Sequence, residues 1–374
     1  VITSYFAIYE PDLVRQRRAN CLKRKRFWAA GVNDLWAVDQ HDKWKYKFGL
    51  ALHSGLDPFI GRIQWLKIWW TNSNPRLILS YYLDAVQELG FMPLVSQSDP
   101  GSENFGLANG HTLLRHWHDQ SLFGTLQHCW MNEKKNVMPE IGWSQLRHRW
   151  TPGFEDILDI GVNNGWYDPS ILLQAYVLLL NGDQLVFRWV FIPWLQRELD
   201  AYRERVNNTA KRADKNKVLP HGVPNHMHQV PEDFGVLDFK ISVDPESIDY
   251  VRTLYAPPDH EVFELVPKDF AELAAEFYNQ IGQPPITRTN VWNIYMELLT
   301  RFQHLDNMHR VPADLDQHWG YALTIARDDH EDDIALIPNL TSLHNGSQVV
   351  APDGTFYMGG VNNGLGLGQL QCRD

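Results

Sequence analysis

The chain has 374 residues, is 44% hydrophobic and 21% charged, and carries a net charge of −11. That is the composition of a folded globular protein long enough for two domains, and it argues against a disordered chain or an indiscriminate binder of polyanions. Cys21, Cys129 and Cys372 lie too far apart for a CxxC pair, a zinc spacing or a disulfide framework, which suits a reducing compartment, and no apolar stretch reaches the ~18 residues of a membrane span.

Residues 1–30 read as a basic arm. Arg15, Arg17, Arg18, Lys23, Arg24, Lys25 and Arg26 follow one another with no acid among them. Such a run is a solvated helix face, a nuclear-import patch or a phosphate-contacting arm. The pattern then changes to strands: Leu35–Asp39, Tyr46–Leu56 and Ile60–Trp70, with Asp57-Pro58 as the turn between the last two. Asn74-Pro75 opens a helix that Gly90 closes, with Leu77, Ile78, Tyr81, Tyr82, Ala85, Val86 and Leu89 on one side. Met92–Ser98 predicts a fourth strand, Leu107–His118 a helix and Gly124–Met131 a short strand. Pro139, at a first helical position, begins a helix through Arg149.

Ile171–Val206 is strongly helical, and Pro193 is expected to break or kink it. Pro220, Gly222, Pro224 and Pro231 mark a boundary. Helical patterns over Asp269–Ile281 and Asn290–Leu305 follow, and Val349–Met358 reads as a hairpin around Asp353-Gly354. The organisation is therefore a basic arm (1–30), a core (31–230) and a C-terminal region (231–374). The fold class is α/β: a mixed sheet flanked by helices, with a helical extension and a smaller C-terminal α+β region. If the crossover from the first strand to the Met92 strand is right-handed, the two lie side by side. Their C-terminal ends then bring Asp39 and Asp99 together.

Asp39 ends the run Leu35-Trp36-Ala37-Val38, Asp99 precedes the turn Pro100-Gly101, and Glu140 sits at a helix start. Two strand-end carboxylates and one helix carboxylate are the hard oxygen donors that a pair of Mg²⁺ ions takes. Glu140, Ser144 and Arg147 share a helical face, so metal at one end and phosphate at the other could be held in one row. Glu103 and Asn104 sit in the loop after Asp99. Lys43, Lys45 and Lys47 follow Asp39 as phosphate contacts or a solvated strand edge. Trp143 and Trp150 read as core packing, and His111, His116, His118 and His128 as structural or exposed.

From about Gly31 to Asn225 the chain resembles the integrase core of DDE transposases and retroviral-type integrases, in particular the integrase-core proteins of fungal and some animal genomes. The matching pieces are Leu35-Trp36-Ala37-Val38-Asp39, Phe48-Gly49-Leu50-Ala51-Leu52-His53, Ile63-Gln64-Trp65-Leu66 and Ser98-Asp99-Pro100-Gly101-Ser102-Glu103-Asn104. The helix pattern Asn136, Glu140, Trp143, Ser144, Leu146 and Arg147 completes them, with Pro139 where the family has isoleucine.

The resemblance implies a ribonuclease H-like fold, Asp39, Asp99 and Glu140 as catalytic ligands of two Mg²⁺ (or Mn²⁺), and DNA strand cleavage followed by 3′-OH strand transfer. It implies supporting roles for Glu103, Asn104, Asn136 and Ser144. From the charge pattern, Lys43, Arg147, Arg24, Lys25, Arg26, Lys211 and Arg212 are candidate DNA contacts; the analogy implies a homo-oligomer, and nuclear location with no membrane is expected. Glu133 is the second choice for the third acid, since its surroundings lack the helix match. Two rivals stay open: a domesticated derivative that binds DNA or protein without cutting, and a ribonuclease H-like nuclease that cleaves without joining. No zinc-binding HHCC pattern or helix-turn-helix precedes the core.

Overall fold

The computed structural model describes residues 27–131, 136–168, 182–211, 219–308, 334–343 and 356–362. Its main sheet has five strands: β1 (Leu35–His41), β2 (Ala51–Asp57), β3 (Arg62–Trp69), β4 (Val95–Ser98) and β5 (His128–Trp130), in the order β3-β2-β1-β4-β5. β1, β2 and β3 form an antiparallel meander, while β4 and then β5 add in parallel on the other side of β1. In the parallel pair, Leu35 lies opposite Val95 and Ala37 opposite Gln97. Continuing that register sets Asp39 level with Asp99, as the crossover rule requires.

The expected second strand begins too early. Lys43–Phe48 form a short helix, α1, ended by Gly49 at φ 71°. Trp44 and Phe48, four residues apart, bury one helical face, and the left-handed glycine closes the turn as a C-cap. The Met92–Ser98 strand is split: Phe91–Met92 pairs with Ile241–Ser242, and only Val95–Ser98 joins the main sheet. Pro93, which has no N–H for a ladder, lies between the two pieces. The Gly124–Met131 strand is likewise two pieces, Thr125–Leu126 and β5.

Alternation along the strands sends successive side chains to opposite faces. Trp36 and Val38 join Trp65 in a cluster covered by α2 (Pro75–Leu89) and α3 (Phe105–His118). The Asn74 side chain caps α2 by accepting from the Arg76 N–H at 2.9 Å, and Gly90 at φ 74° closes it. Leu52, Leu66 and Ile68 face the other way. They pack against α4 (Val137–Arg149), α5 (Thr151–Asn163) and α6 (Gly182–Asn207). Asp39, the neighbour of Val38, is therefore on the α4 side.

One proline expectation is corrected and a second is narrowed. Pro139 is the third residue of α4, not the first. A first-turn N–H has no intrahelical acceptor, so the ring costs little there. Pro193 does not break its helix, since α6 runs through it without interruption. An interior proline costs about 3 kcal/mol. Val190, Phe191, Trp194 and Leu195, all essentially buried around it, offset that cost by removing several large apolar side chains from water.

Residues beyond 231 are laid over the same scaffold. Leu237–Asp238 pairs with Gly31–Val32. Helix α7 (Pro245–Tyr255) places Ile248 and Val251 in the cluster of α2 and α3. Helices α8 (Lys268–Gln280) and α9 (Val291–Met308) join the cluster of α6 through Phe270, Phe277, Trp292 and Tyr295. The first arm of the expected hairpin lies outside the described residues, and Phe356–Tyr357 pairs in parallel with Phe27–Trp28. Among the described residues no helix is long and apolar enough to cross a membrane.

Candidate active site

Three elements meet at the C-terminal end of β1 and β4. Asp39 is half-buried near the end of β1, Asp99 is exposed just past β4, and Glu140 is exposed in the first turn of α4. Burial and then the charge of Asp99 push the Asp39 carboxyl from its ordinary 3.8 up to about 7, and Glu140 adds to the rise. A hydrogen bond from Trp143 and the Gln40 backbone N–H work against it. Burial and the charge of Glu140 also raise Asp99. The three acids thus feel one another's charge, although they come from positions spread over a hundred residues.

The helix carrying Glu140 is fastened to both strands that carry the aspartates. Asn136, its N-cap residue, is 1% exposed. The Asn136 Nδ2 donates to the Val38 carbonyl at 2.9 Å, and its Oδ1 accepts from Gln97 Nε2 at 3.3 Å. One turn into the helix, the Trp143 indole N–H donates to Asp39 Oδ2 at 2.9 Å. Trp143 is also core packing, as expected, but that reading missed its polar end. The legible signal was its placement one turn after Glu140, on the same helix.

The loop after Asp99 folds back on itself. Asn104 Nδ2 donates to the Asp99 carbonyl at 3.2 Å and to Glu103 Oε1 at 3.0 Å, and Gln40 Nε2 reaches the same Glu103 oxygen at 3.4 Å. Burial, aided by Asp42 and Asp99, raises the Glu103 carboxyl. A Cβ on Gly101 would overlap the Glu103 carboxylate, so glycine is what lets this acid fold over the loop. Beneath β4, His128 hydrogen-bonds Ser96 and Ser98, and burial pushes it down to about 3, so it is neutral and structural.

The basic residues divide. Lys43 and Arg147 are exposed, and both lie near enough to His41 to lower its proton affinity, behind the effect of burial. His41 stacks on Trp143 with ring centroids 5.1 Å apart, so both cations stand on the acid side of the sheet. His41 itself was not singled out from sequence. Lys45 bonds Ser73, and Lys47 bridges Glu155 and Asp159, tying α1 to its neighbours. Ser144 is exposed on the face of Glu140 and Arg147. Lys211 donates to the Gly61 carbonyl at 2.7 Å, in the turn between β2 and β3 and so at the opposite end of the sheet. Arg24, Lys25, Arg26, Arg212 and Glu133 lie outside the described residues.

Among the described residues no group of three His, Cys, Asp or Glu side chains is gathered tightly enough to hold a metal ion as it stands. The donor set nonetheless fits a hard divalent cation. Asp39 and Asp99, whose proton affinity neighbouring acids help to raise, are carboxylates that a cation would relieve, and Glu140 stands beside them as a third oxygen donor.

Residues 27–227 match the model of the integrase core domain family. A comparison with characterised proteins finds none that matches the chain. The matched segment includes all five strands of the main sheet, the three acids and the helix that braces them, and the mixed sheet flanked by helices is that of a ribonuclease H-like integrase core. With more than half its length matched, this chain belongs to the integrase core domain family, whose superfamily is of the polynucleotidyl transferase type.

Proposed function

We propose that the protein is a DDE-type transposase or integrase that cuts a DNA strand and transfers the resulting 3′-OH to target DNA, with Asp39, Asp99 and Glu140 as ligands of two Mg²⁺ (or Mn²⁺) ions. The observation that supports it most is the convergence of the three acids: the charges of Asp99 and Glu140 add to the burial that raises the Asp39 carboxyl to about 7. Bound divalent cations would activate the attacking hydroxyl and neutralise charge on the leaving oxygen. The chain's own groups position the parts. Trp143 holds the Asp39 carboxylate through Oδ2. Asn136 sets the Glu140 helix against both aspartate strands. Lys43 and Arg147 flank the acids as contacts for the phosphodiester backbone. Phosphoryl transfer asks little more of a protein than such placement. The basic arm around Arg24, Lys25 and Arg26 extends the DNA contact, and the enzyme works in the nucleus as a homo-oligomer.

The test is an incubation with end-labelled DNA and Mg²⁺, with Asp99→Asn in parallel. Cleavage and joining, both lost in the variant, is the expected result. Cleavage without joining favours a nuclease, and binding without cutting favours a derivative that has lost the chemistry. Cutting that persists in Asp99→Asn refutes the site.

A further inference from the structure

The opposite end of the sheet holds a second polar site. β3 begins there with a bulge: Gly55 pairs with Trp65 and Leu56 with Ile63, which leaves Gln64 as the extra residue. A bulge re-aims the side chain of the residue that the ladder skips. Asn207 of α6 locks the distortion, its Oδ1 accepting from the Ile63 N–H at 2.8 Å and its Nδ2 donating to the Ile63 carbonyl at 2.9 Å. Gln64 is 6% exposed, yet its Nε2 has no hydrogen-bond partner.

Gln64 lines a cavity of about 40 Å³ with Arg62, Arg203 and Asn207, and Glu88 and Glu204 stand at the rim. That space suits a few waters or one small tetrahedral ion. The two guanidiniums converge on it. Arg62 donates through Nε to Asn225 Oδ1 at 2.9 Å and through a terminal nitrogen to Gln64 Oε1. Arg203 donates to the Gln64 carbonyl at 3.2 Å and to Glu204 Oε1 at 3.5 Å, and its buried Nε has no partner. Burial and then the charge of Arg203 lower the proton affinity of Arg62, against Asp57, Glu88 and Glu204, which raise it. Two guanidiniums and two unpartnered N–H groups therefore line one small space, with the carboxylates of Glu88 and Glu204 beside them. What these two donors lack is an acceptor, and an unsatisfied buried donor is costly.

We propose that this cavity binds a phosphate-class oxyanion, either free phosphate or the terminal phosphate of a nucleic acid, through Arg62, Gln64 and Arg203. The site is distinct from the three acids. Arg62 pairs with Asp57, level with the start of β1, whereas Asp39 is near the end of β1, and the proposal stands whether or not the acids cut DNA.

The test uses the full chain at fixed ionic strength. Inorganic phosphate is titrated calorimetrically, and a 5′-phosphorylated dinucleotide is compared with its unphosphorylated form. Saturable binding at one site is expected, weakened at least tenfold in Gln64→Leu and in Arg203→Gln. Glu88→Gln, an exposed change at the end of α2, removes rim repulsion and should tighten binding several-fold. It keeps the test decisive if the buried variants fold poorly. Tighter binding of the phosphorylated dinucleotide than of phosphate identifies a nucleic-acid end, and the reverse identifies the free ion. No saturable binding by wild type and Glu88→Gln, or binding undiminished in a folded Arg203→Gln, overturns the proposal.

Discussion

Trp143→Phe removes one hydrogen bond from the acid site while keeping an aromatic ring in the core. The indole N–H lies 2.9 Å from Asp39 Oδ2 and is the leading influence that favours the ionised carboxylate against burial and Asp99. A hydrogen bond to a charged acceptor contributes about 1.5–3 kcal/mol. About 1.4 kcal/mol corresponds to a tenfold change in proton affinity, so the variant should titrate Asp39 at a pH roughly 1–2 higher than its present value of about 7. The sign follows from which form is bonded: losing a donor to the charged form raises the pKa. Carbon-13 NMR of the aspartate carboxyls across pH reads this directly. Mg²⁺ must displace the same proton, so its apparent affinity at neutral pH should fall by about the factor by which the carboxyl's proton affinity rises. Trp150→Phe is the control, since Trp150 is equally buried but its indole nitrogen has no partner. An Asp39 that titrates unchanged or lower in Trp143→Phe refutes the assigned role.

Asp39 also predicts a pH dependence of stability. Its folded value is raised from 3.8 to about 7, so its contribution is fully present below pH ~4 and is lost as pH rises through about 7. Without divalent cations, Asp39→Asn should abolish that slope and gain on the order of 4 kcal/mol at most over wild type at pH 8 relative to pH 4, in urea melts; a difference that ignores pH counts against it. Asn136→Ala severs the tie between the Glu140 helix and both aspartate strands, and loses about 2–3 kcal/mol of stability together with cleavage activity. Lys43→Gln with Arg147→Gln should reduce the salt dependence of DNA binding by about two phosphate contacts in a gel shift, whereas Lys211→Met, remote from the acids, should leave it unchanged. Lys47→Met breaks only exposed ion pairs to Glu155 and Asp159 and should cost under about 1 kcal/mol in the same urea melts.

Much of the scaffold is written in local chemistry. Asn74-Pro75 and Gly90 bound α2 because capping is settled within a few residues of each helix end. The strand-end positions of Asp39 and Asp99, and the helix pattern around Glu140, needed only the apolar runs, the handedness of the crossover and the family motif. Tertiary contacts decided the rest. Trp44 and Phe48 make a helix of what resembles a strand, because both must be buried on one side. Pro193 stays helical because the aromatic core around it outweighs its lost bond. The Trp143–Asp39 contact and the Arg203–Gln64 contact join residues more than a hundred positions apart. No local rule encodes such pairs, because what brings them together is the burial of side chains elsewhere on the same strands and helices.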